Sequence, residues 1–373
     1  MFVKGAGISR AESHTGTLPA VRYGELYTEH NDYVRSYCSF ISEEVASHSY
    51  KTKRGDILFT CSGETAEDIG KAVAVLDDGV YAGGDLLVFS LKEEGDPIFW
   101  GTLLNTPPVQ IQKSNFSHGA TIIHIGESDL SKVEVQFPPL PVQRRIASSL
   151  SAVDGHLASL GELVSKYEAI KKSTVSLLLR PQQTWQKVRL GDVAKVFRGG
   201  SPRPIQDYIT SDANGINWIK IGDVATDAKY IEHTEEKIKP SGIAMSRQVK
   251  AGDFILSNSM SFGRPYILKI DGCIHDGWLT IQDYQATFEA DYLYYLLGSE
   301  YVFAQYLEHA AGSSVKNLNK EAVGNLSLPV PPLSEQRRIV TALSSLDGVL
   351  ASLAAEREKL ASLKRGLLRH FFG

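Results

Sequence analysis

Apolar residues recur at alternating steps of four and three positions in two long segments of the chain. In the first segment the recurring residues are Ile146, Leu150, Val153, Leu157, Leu160, Val164 and Tyr167. In the second segment they are Ile339, Leu343, Leu346, Leu350 and Leu353, and Leu360 resumes the pattern after a break at Arg357. This spacing is the seam of a coiled coil, in which each helix buries one stripe against another helix. Each segment therefore predicts a long helix with a helical partner.

The two segments are copies of one another. Residues 138–160 read PPLPVQRRIASSLSAVDGHLASL and residues 331–353 read PPLSEQRRIVTALSSLDGVLASL, a shift of 193 positions. The same register continues upstream, where GATIIHI at residues 119–125 aligns with GSSVKNL at residues 312–318. A repeat of this length exceeds a solenoid unit, so it contains a globular domain as well as a helix. The chain is therefore expected to have two similar heads.

The order of these segments predicts how the helices pair. We expect a first head over residues 1–137, a spacer helix over 138–180, a second head over 181–330 and a second spacer helix over 331–373. Because the second head joins the end of one helix to the start of the other, an antiparallel pair needs only short connections. A helix of about 38 residues is about 57 Å long, which predicts a pseudo-twofold molecule with a head near each end. The alternative is that the helices pack on their own heads or pair with another chain.

The heads have the pattern of mixed α+β domains. In the second head, residues 185–204 and 217–224 alternate as strands do, and residues 251–270 predict two strands joined by a polar turn. Residues 291–312 predict one aromatic-rich helix that ends at a glycine. The first head starts at Phe2, without a counterpart of the strand that opens the second head. Either another segment fills that place in the first head, or Met1 is not the natural boundary. In an antiparallel pair, the end of the second helix, LKRGLLRHFFG, would return to the first head and cover it.

Several of these motifs together resemble those of the specificity subunit of Type I restriction-modification systems. They are the two copies of PPL-x-x-QRRI followed by L-x-x-x-D-G, the G-x-[ST]-x-x-[HN]-[IL] turn before each copy, and the RGGSPRP, IKIGD and AGDFIL segments of the second head. The resemblance covers nearly the whole chain. It implies a two-headed α+β protein in which each head is a target-recognition domain that reads half of a bipartite DNA sequence in the major groove.

The resemblance also implies a division of labour with partner proteins. The coiled coil would set the spacing between the half-sites and dock two methyltransferase subunits, and restriction and translocase subunits would complete the complex. The chain itself would be non-catalytic and would hold no cofactor or metal. S-adenosylmethionine, and ATP with Mg²⁺, would belong to the partner subunits.

The charge of the chain fits a DNA reader that works inside a complex. The net charge is −4, and both predicted heads have more acidic than basic residues. Because phosphate neutralisation supplies most non-specific affinity for DNA, a protein that binds DNA alone is expected to have a basic surface. Partner subunits would therefore supply much of the phosphate contact.

Base recognition needs only a few arginine, lysine, amide or hydroxyl side chains at each site, and the predicted loops contain them. In the second head these candidate DNA-binding residues are Arg198, Ser201, Arg203, Lys220, Ser257, Asn258, Ser259, Arg264, Ser313, Ser314, Lys316 and Asn317. In the first head they are Lys4, Ser9, Arg22, Tyr23, Thr60, Ser62, Thr121 and His124. For any one of them the alternative is a solvated or turn-forming polar residue, and their recurrence at repeated positions favours a binding face.

Motifs of enzymes are absent or incomplete in the sequence. There is no G-x-x-x-x-G-K-[ST] phosphate loop, and NTPP at residues 105–108 only approximates the [ND]-P-P-[YF] motif of DNA amino-methyltransferases. The cysteines Cys38, Cys61 and Cys273 lack CxxC spacing and predict neither a zinc site nor disulfides. Two alternatives remain open, a DNA-modifying enzyme with degenerate motifs and a structural coiled-coil adaptor.

The sequence predicts a cytoplasmic protein. Its start lacks a basic and apolar leader, and no apolar stretch approaches 18 residues. We therefore expect neither export nor insertion into a membrane.

Overall fold

The computed structural model describes residues 1–225, 228–258, 263–310 and 318–373. These residues form two compact units, Met1–Glu162 with Ala354–Gly373, and Leu163–Leu353. Each of the two long helices has its first part in one unit and its last part in the other. The segment boundaries expected from the sequence stay a prediction.

The first unit contains two four-stranded sheets and one two-stranded sheet. Its strands are β1 (Phe2–Lys4), β2 (Leu18–Val21), β3 (Ser39–Ile41), β4 (Tyr50–Lys51), β5 (Ile57–Thr60), β6 (Ser62–Gly63), β7 (Ala72–Ala74), β8 (Tyr81–Ala82), β9 (Leu86–Phe89) and β10 (Ile123–His124). Its short helices are α1 (Tyr23–Thr28), α2 (Glu43–Ser47), α3 (Pro97–Leu103), α4 (Pro107–Phe116) and α5 (Glu127–Leu130). One sheet has the order β1-β9-β5-β7, the other has the order β3-β2-β8-β4, and β10 pairs with β6.

Strand β5 lies in a sheet that is buried on both faces. Ile57 and Phe59 belong to a core that includes Phe99 of α3. Leu58, between them, belongs to a second core that includes Val21 of β2. Successive side chains of a strand point to opposite faces, so an uninterrupted apolar run is what a strand between two packed layers requires. The sheet of β5 is therefore the middle layer of the first head.

The second unit repeats this architecture with additional elements. Its strands are β11 (Gln186–Arg189), β12 (Lys195–Arg198), β13 (Ile209–Thr210), β14 (Ile216–Ile219), β15 (Tyr230–Ile231), β16 (Glu236–Ile238), β17 (Arg247–Val249), β18 (Phe254–Ser257), β19 (Pro265–Leu268), β20 (Gly272–Ile274), β21 (Trp278–Gln282) and β22 (Ser327–Val330). Its short helices are α7 (Leu190–Val193), α8 (Ala290–Leu297), α9 (Glu300–Ala310) and α10 (Lys320–Gly324), with 3₁₀ turns at Ile205–Asp207, Ile221–Asp223 and Pro240–Met245.

The two heads share a strand order, which confirms that they have a similar α+β fold. The sheet β12-β21-β18-β19 of the second unit matches β1-β9-β5-β7 of the first, with β15 added at its edge. The sheet β16-β14-β20-β17 matches β3-β2-β8-β4, with β13 added at its edge. In this second pair of matching sheets, the two central strands are parallel, β14 with β20 and β2 with β8.

Two element predictions in the second head are corrected. Residues 185–204 hold two strands, because fully buried Leu190 starts the short helix α7 between β11 and β12. Residues 291–310 hold two helices, because the hydroxyl of Ser299 accepts a hydrogen bond from the backbone N–H of Val302 at 3.3 Å and caps α9. The predicted end of this helix, Gly312, lies outside the described residues.

The strand that opens the second head has no counterpart among the described strands of the first. Strand β11 pairs antiparallel with β22, whereas β1 corresponds in the sheet order to β12. In the first unit, Leu368 and Phe372 from the end of the second long helix pack against the core that contains Phe99. The Phe99 and Phe372 ring centroids are 5.5 Å apart. The expectation that this helix end covers the first head is confirmed.

The long helices are α6 (Leu140–Leu178) and α11 (Leu333–Phe372), and each begins at the leucine of its Pro-Pro-Leu. Their first seam residues are buried in the cores of the heads, Ile146 and Leu150 in the first unit, Ile339 and Leu343 in the second. In this region the helices pack on their own heads, as the alternative proposed. The remaining seam residues are buried or half-buried, and they are Val153, Leu157, Leu160, Val164, Tyr167, Leu346, Leu350, Leu353 and Leu360.

One described helix, α11, contains a window that is long and apolar enough to cross a membrane by length and composition. The expectation that no such stretch exists is therefore wrong. A single helix of this kind is weak evidence for a membrane span, because a helix that packs in a protein core passes the same test. In α11 the buried residues are Gln336, Ile339, Leu343 and Leu353, and 17% of the apolar window is buried.

Candidate nucleic-acid interface

Four of the predicted DNA-binding residues of the second head converge on Asp276. The Asp276 carboxylate accepts hydrogen bonds from Ser201 Oγ at 3.0 Å and from an Arg203 guanidinium nitrogen at 3.3 Å. Its backbone carbonyl accepts hydrogen bonds from Arg198 Nε at 3.3 Å and Asn258 Nδ2 at 2.9 Å. Arg198 ends β12, Ser201 and Arg203 lie in the loop after it, and Asn258 directly follows β18. The fold therefore brings together side chains that are about 60 residues apart in sequence.

Asp276 is an ionised carboxylate at neutral pH. Partial burial by itself would raise the pKa of its carboxyl, but the hydrogen bond from Ser201, the local backbone and the charges of His275 and Arg203 outweigh burial and lower it. The neighbouring His275 is mostly buried, and burial lowers the pKa of its imidazole. The side chain of Arg203 is 81% exposed. The cluster is therefore one fixed anionic acceptor next to a solvent-facing guanidinium.

The other candidates of the second head have different surroundings. Lys220 Nζ pairs with Glu236 Oε1 at 3.0 Å, beside the 3₁₀ turn Ile221–Asp223. Ser257 is fully buried, and its hydroxyl accepts a hydrogen bond from the backbone N–H of half-buried Arg264 at 3.2 Å. Burial of Ser257 and Asn258 does not fit direct contact with DNA, so these two side chains support the loop. The candidates Ser259, Ser313, Ser314, Lys316 and Asn317 lie outside the described residues.

In the first head, the two-stranded β6–β10 sheet brings Ser62 and His124 together. The two residues are paired in the antiparallel register, and exposed Thr121 lies in the turn just before β10. The turn begins at Gly119, which has φ +126°, and an added Cβ would lie 2.0 Å from the carbonyl oxygen of Ile122. This close approach explains the glycine at the start of this turn. The hydroxyl of Tyr23 donates to the carbonyl oxygen of Ser62 at 2.5 Å and so fixes strand β6 to α1.

The remaining candidates of the first head do not form one cluster. Lys4 is exposed at the end of β1, and Ser9 is exposed in the loop that follows. Arg22 is engaged by Glu25, with Arg22 Nε 2.9 Å from Glu25 Oε1. Thr60 is fully buried and accepts hydrogen bonds from Tyr27 Oη and a backbone N–H. The burial of Thr60 does not fit contact with DNA.

Asn105, in the motif that approximates a methyltransferase active site, has a structural role. Its Nδ2 donates to Asp32 Oδ1 at 3.0 Å and to the carbonyl oxygen of Ala72 at 2.7 Å. Its Oδ1 accepts from the backbone N–H of Ala72 at 2.9 Å. The amide therefore ties the end of α3 to the edge strand β7.

A repeated glutamine that the sequence analysis did not single out joins each long helix to its head. Gln143 is buried, accepts from the backbone N–H of Asp96 at 3.1 Å and donates to the carbonyl oxygen of Pro138 at 2.8 Å. Gln336, its copy in the second unit, accepts from the backbone N–H of Glu289 at 2.8 Å and donates to the carbonyl oxygens of Thr287 and Pro331 at 3.0 Å. The glutamine of each QRRI motif thus satisfies backbone groups of the helix–head junction.

A repeated aspartate makes the next contact along each helix. In the first unit, Asp154 on α6 lies 2.8 Å from Lys364 Nζ on α11 and 2.9 Å from the Arg35 guanidinium. In the second unit, its copy Asp347 on α11 lies 2.5 Å from Lys171 Nζ on α6. Lys171 and Lys364 are themselves 193 positions apart, as the two aspartates are. Each helix therefore gives an aspartate to one ion pair and a lysine to the other.

These ion pairs show that the helix segments run in opposite directions within the first unit. Asp154 faces Lys364, whereas His156 lies 3.3 Å from Glu356. The residue number therefore rises along one helix as it falls along the other. The motif L-x-x-x-D-G signals this contact in the sequence through its aspartate, but its lysine partner lies outside the repeated core motif.

The two heads share one strand order, and a buried glutamine and an aspartate join each head to a long helix. The fold is therefore that of a duplicated α+β protein whose heads are connected by long helices. Residues 8–164 and 182–364 match the family described as Type I restriction modification DNA specificity domain. Because the two matches together cover most of the chain, the chain belongs to this family.

Curated relatives carry related names. The putative type I restriction enzyme MjaX specificity subunit of Methanocaldococcus jannaschii is 23% identical over 349 residues, which are 87% of this chain and 79% of the relative. The type I restriction enzyme MjaVIII specificity subunit of the same organism is 22% identical over 202 residues, which are 52% of this chain and 43% of the relative. The chain thus spans less than half the length of the second of these relatives.

Solved structures share the fold. The type I restriction-modification system S subunit from M. genitalium has a TM-score of 0.61 and 16% identity, with all of this chain and 93% of that chain covered. A chain from a study of complex assembly and conformational transition of the type I R-M system has a TM-score of 0.57 and 20% identity, with all of this chain and 97% of that chain covered. At these identities the likeness concerns the fold.

Proposed function

We propose that this chain is the DNA-recognition subunit of a type I restriction-modification complex, in which each head reads one half of a bipartite target in the major groove. The observation that carries this proposal is the convergence of Arg198, Ser201, Arg203 and Asn258 on Asp276. Guanidinium groups recognise guanine edges and phosphates, and a carboxylate accepts from the amino group of cytosine. The cluster thus combines the two kinds of group that direct readout uses.

The ion pair of Arg203 with Asp276 is suited to exchange for DNA. Its atoms are 3.3 Å apart, and the two side chains are 81% and 45% exposed, so solvent screens the pair and it adds little stability. The Arg203 guanidinium is therefore held by a weak ion pair, and a hydrogen bond to a phosphate or a guanine can replace that pair. Asp276 would then be free to accept from a base amino group.

The test is binding of the assembled complex to duplexes with single-base substitutions at two salt concentrations. Arg198→Ala or Arg203→Ala should cost about 1–3 kcal/mol and relax one target position if the lost contact is to a base. A lost phosphate contact should weaken binding to all duplexes and reduce the salt slope by about one. Arg189→Ala is the matched control, because Arg189 lies on β11 and donates to Asn325 at 2.6 Å. Wild-type affinity and selectivity in both test variants would refute the proposed DNA-facing surface.

We further propose that the paired helices set the gap between the half-sites and dock two methyltransferase subunits. The reciprocal ion pairs of Asp154 with Lys364 and Asp347 with Lys171 support a helix pair of fixed register. Inserting residues into both helices, between 157 and 167 and between 350 and 360, should change the gap and leave the half-site bases unchanged. Sequencing of methylated sites in cells that carry the variant measures both quantities. Changed half-sites with an unchanged gap would contradict this role.

We propose that the chain has no methyltransferase activity of its own. The structural role of Asn105 supports this, because its amide is held by Asp32 and by the backbone of Ala72. Purified chain incubated with plasmid DNA and S-adenosylmethionine should leave the DNA unmethylated, and addition of the methyltransferase subunits should restore methylation. Methylation by the chain alone would favour the alternative of a DNA-modifying enzyme.

A further inference from the structure

A cluster of three potential metal ligands lies in the first head. Glu25 on α1, His30 just after it and Cys38 just before β3 each offer one ligand atom, and these atoms lie within 4.8 Å of one another. Carboxylate, imidazole and thiolate are three of the side-chain groups that bind zinc. Because Cys38 lacks CxxC spacing, the sequence alone predicted no zinc site here.

His30 is buried, and among the described residues one of its ring nitrogens has no hydrogen-bond partner. Its exposed fraction is 5%, and among the described residues its Nε2 has no hydrogen-bond partner. Buried polar atoms normally have partners, so an orphaned nitrogen calls for an explanation. Burial lowers the pKa of the His30 imidazole, which favours the neutral ring that metals bind. A cation bound at Nε2 would supply the missing partner.

Glu25 is buried, and hydrogen bonds fix the orientation of its carboxylate. Its Oε1 accepts from Arg22 Nε at 2.9 Å and from the Ser39 hydroxyl, and its Oε2 accepts from the backbone N–H of Arg22 at 3.1 Å. A carboxylate oxygen has two lone pairs, so this backbone bond occupies only one of those on Oε2. Outer partners of this kind orient the ligands of metal sites.

The Cys38 thiol carries a proton that a bound metal ion would displace. Burial raises the pKa of its thiol, and the negative charges of Glu25 and Glu29 and a hydrogen bond with Glu25 raise it further. The thiol is therefore protonated and lies against the Glu25 carboxylate. Cys38 is exposed, so a cation can reach its sulfur from solvent.

We propose that Glu25, His30 and Cys38 form a zinc-binding site. One Zn²⁺ would bind the His30 nitrogen, a Glu25 oxygen and the Cys38 sulfur, and the thiol proton would leave to solvent. Zn–N and Zn–S bonds of about 2.1 and 2.3 Å at a tetrahedral angle place the two ligand atoms about 3.6 Å apart. The ligand atoms would therefore approach by up to about 1 Å, a movement that the exposed Cys38 side chain can make. Water would fill the fourth position.

The site would have a structural consequence for the first head. A zinc ion bound in this way would close the segment 30–38 and anchor the end of α1. This helix carries Tyr23 and Tyr27, whose hydroxyls both donate to the carbonyl oxygen of Ser62. The inference itself does not depend on the proposed role in DNA recognition, because metal binding is measured without DNA.

The experiment is titration of the purified, chelator-treated full chain with CoCl₂ and then with ZnCl₂. We expect one equivalent of Co²⁺ to give tetrahedral d–d absorption with a thiolate-to-cobalt charge-transfer band, and Zn²⁺ to displace it. Cys38→Ser should abolish the band and weaken zinc binding by more than the roughly 10- to 100-fold that loss of an outer partner costs. His30→Gln should weaken binding as well.

The matched control is Cys61→Ser, which removes another cysteine of the same head. Cys61 is only partly exposed, and it is not part of the cluster. This variant should keep the charge-transfer band and the wild-type affinity. Because Cys38 is exposed, its serine variant is expected to fold even if the His30 variant does not. The inference would be overturned by a wild-type chain without the band, by an unchanged band in Cys38→Ser, or by loss of the band in Cys61→Ser.

Discussion

The repeated aspartates provide a quantitative test of how the helices are held. Asp154 and Asp347 occupy equivalent positions of the repeat, but their surroundings differ. The Asp154 side chain is 10% exposed and contacts Lys364, Arg35 and the Tyr33 hydroxyl. The Asp347 side chain is 32% exposed and contacts Lys171 and the Tyr295 hydroxyl. Replacement of each by alanine therefore makes the same chemical change at two levels of burial.

The expected destabilisation follows from this burial. Breaking a buried ion pair by removing one partner typically costs about 3–5 kcal/mol, because the other charge is left uncompensated. Lys364 is only 19% exposed but keeps a second carboxylate, because its Nζ also lies 3.9 Å from Asp32 Oδ2, so Asp154→Ala should fall near the lower end of this range. Exposed pairs are worth about 0.2–1 kcal/mol, and the additional hydrogen bond from Tyr295 should bring Asp347→Ala to about 1–2 kcal/mol. The first variant should thus lose at least about 1 kcal/mol more than the second.

Urea unfolding of the two variants measures these losses, and hydrogen exchange shows which unit is affected. We expect Asp154→Ala to reduce protection in Met1–Glu162 and Asp347→Ala to reduce it in Leu163–Leu353. Lys364→Ala combined with Asp154→Ala should cost less than the sum of the single variants, because the two residues form one pair. Equal destabilisation by both aspartate variants, or additivity of Asp154 and Lys364, would refute the reasoning.

Three further predictions concern other buried or charged groups. Gln143→Ala and Gln336→Ala should each destabilise the chain by about 1–3 kcal/mol in urea unfolding, because backbone groups at the helix–head junction lose their partners. Lys113 is buried with its Nζ 2.7 Å from the carbonyl oxygen of Gly70, and burial lowers its pKa to about 7. The Lys113 ammonium therefore holds its proton more tightly in the unfolded chain than in the folded one, so the stability of the wild type should rise with pH from about 7 towards 10.5. Lys113→Met removes this titrating group, so it should stabilise the chain by roughly 3 kcal/mol at pH 7 and by less at pH 9. Asp276→Asn should raise the affinity of the assembled complex for non-specific DNA at low salt, because one negative charge beside Arg203 is removed, and unchanged affinity in a salt titration would contradict this.

The sequence by itself determined the elements whose signals are local or repeated. The four-three spacing from Ile146 to Tyr167 required a helix with a buried stripe, and the copy of this segment required a second helix. The repeat also required two heads of one fold, as the shared strand order confirms. Both signals can be read from the sequence because helical periodicity and duplication are properties of the chain itself.

Only the tertiary structure decided which polar residues share a site. Arg198, Asn258 and Asp276 follow different strands, so their meeting depends on the order of the strands in the sheets. The pairing of Lys364 with Asp154 likewise depends on a chain segment that returns to the first head, about 210 residues later. Burial of Thr60 and the orphaned nitrogen of His30 are also set by packing. A polar side chain in the sequence gives no sign of whether it will face solvent, a backbone group or another charge, because that is fixed by distant parts of the chain.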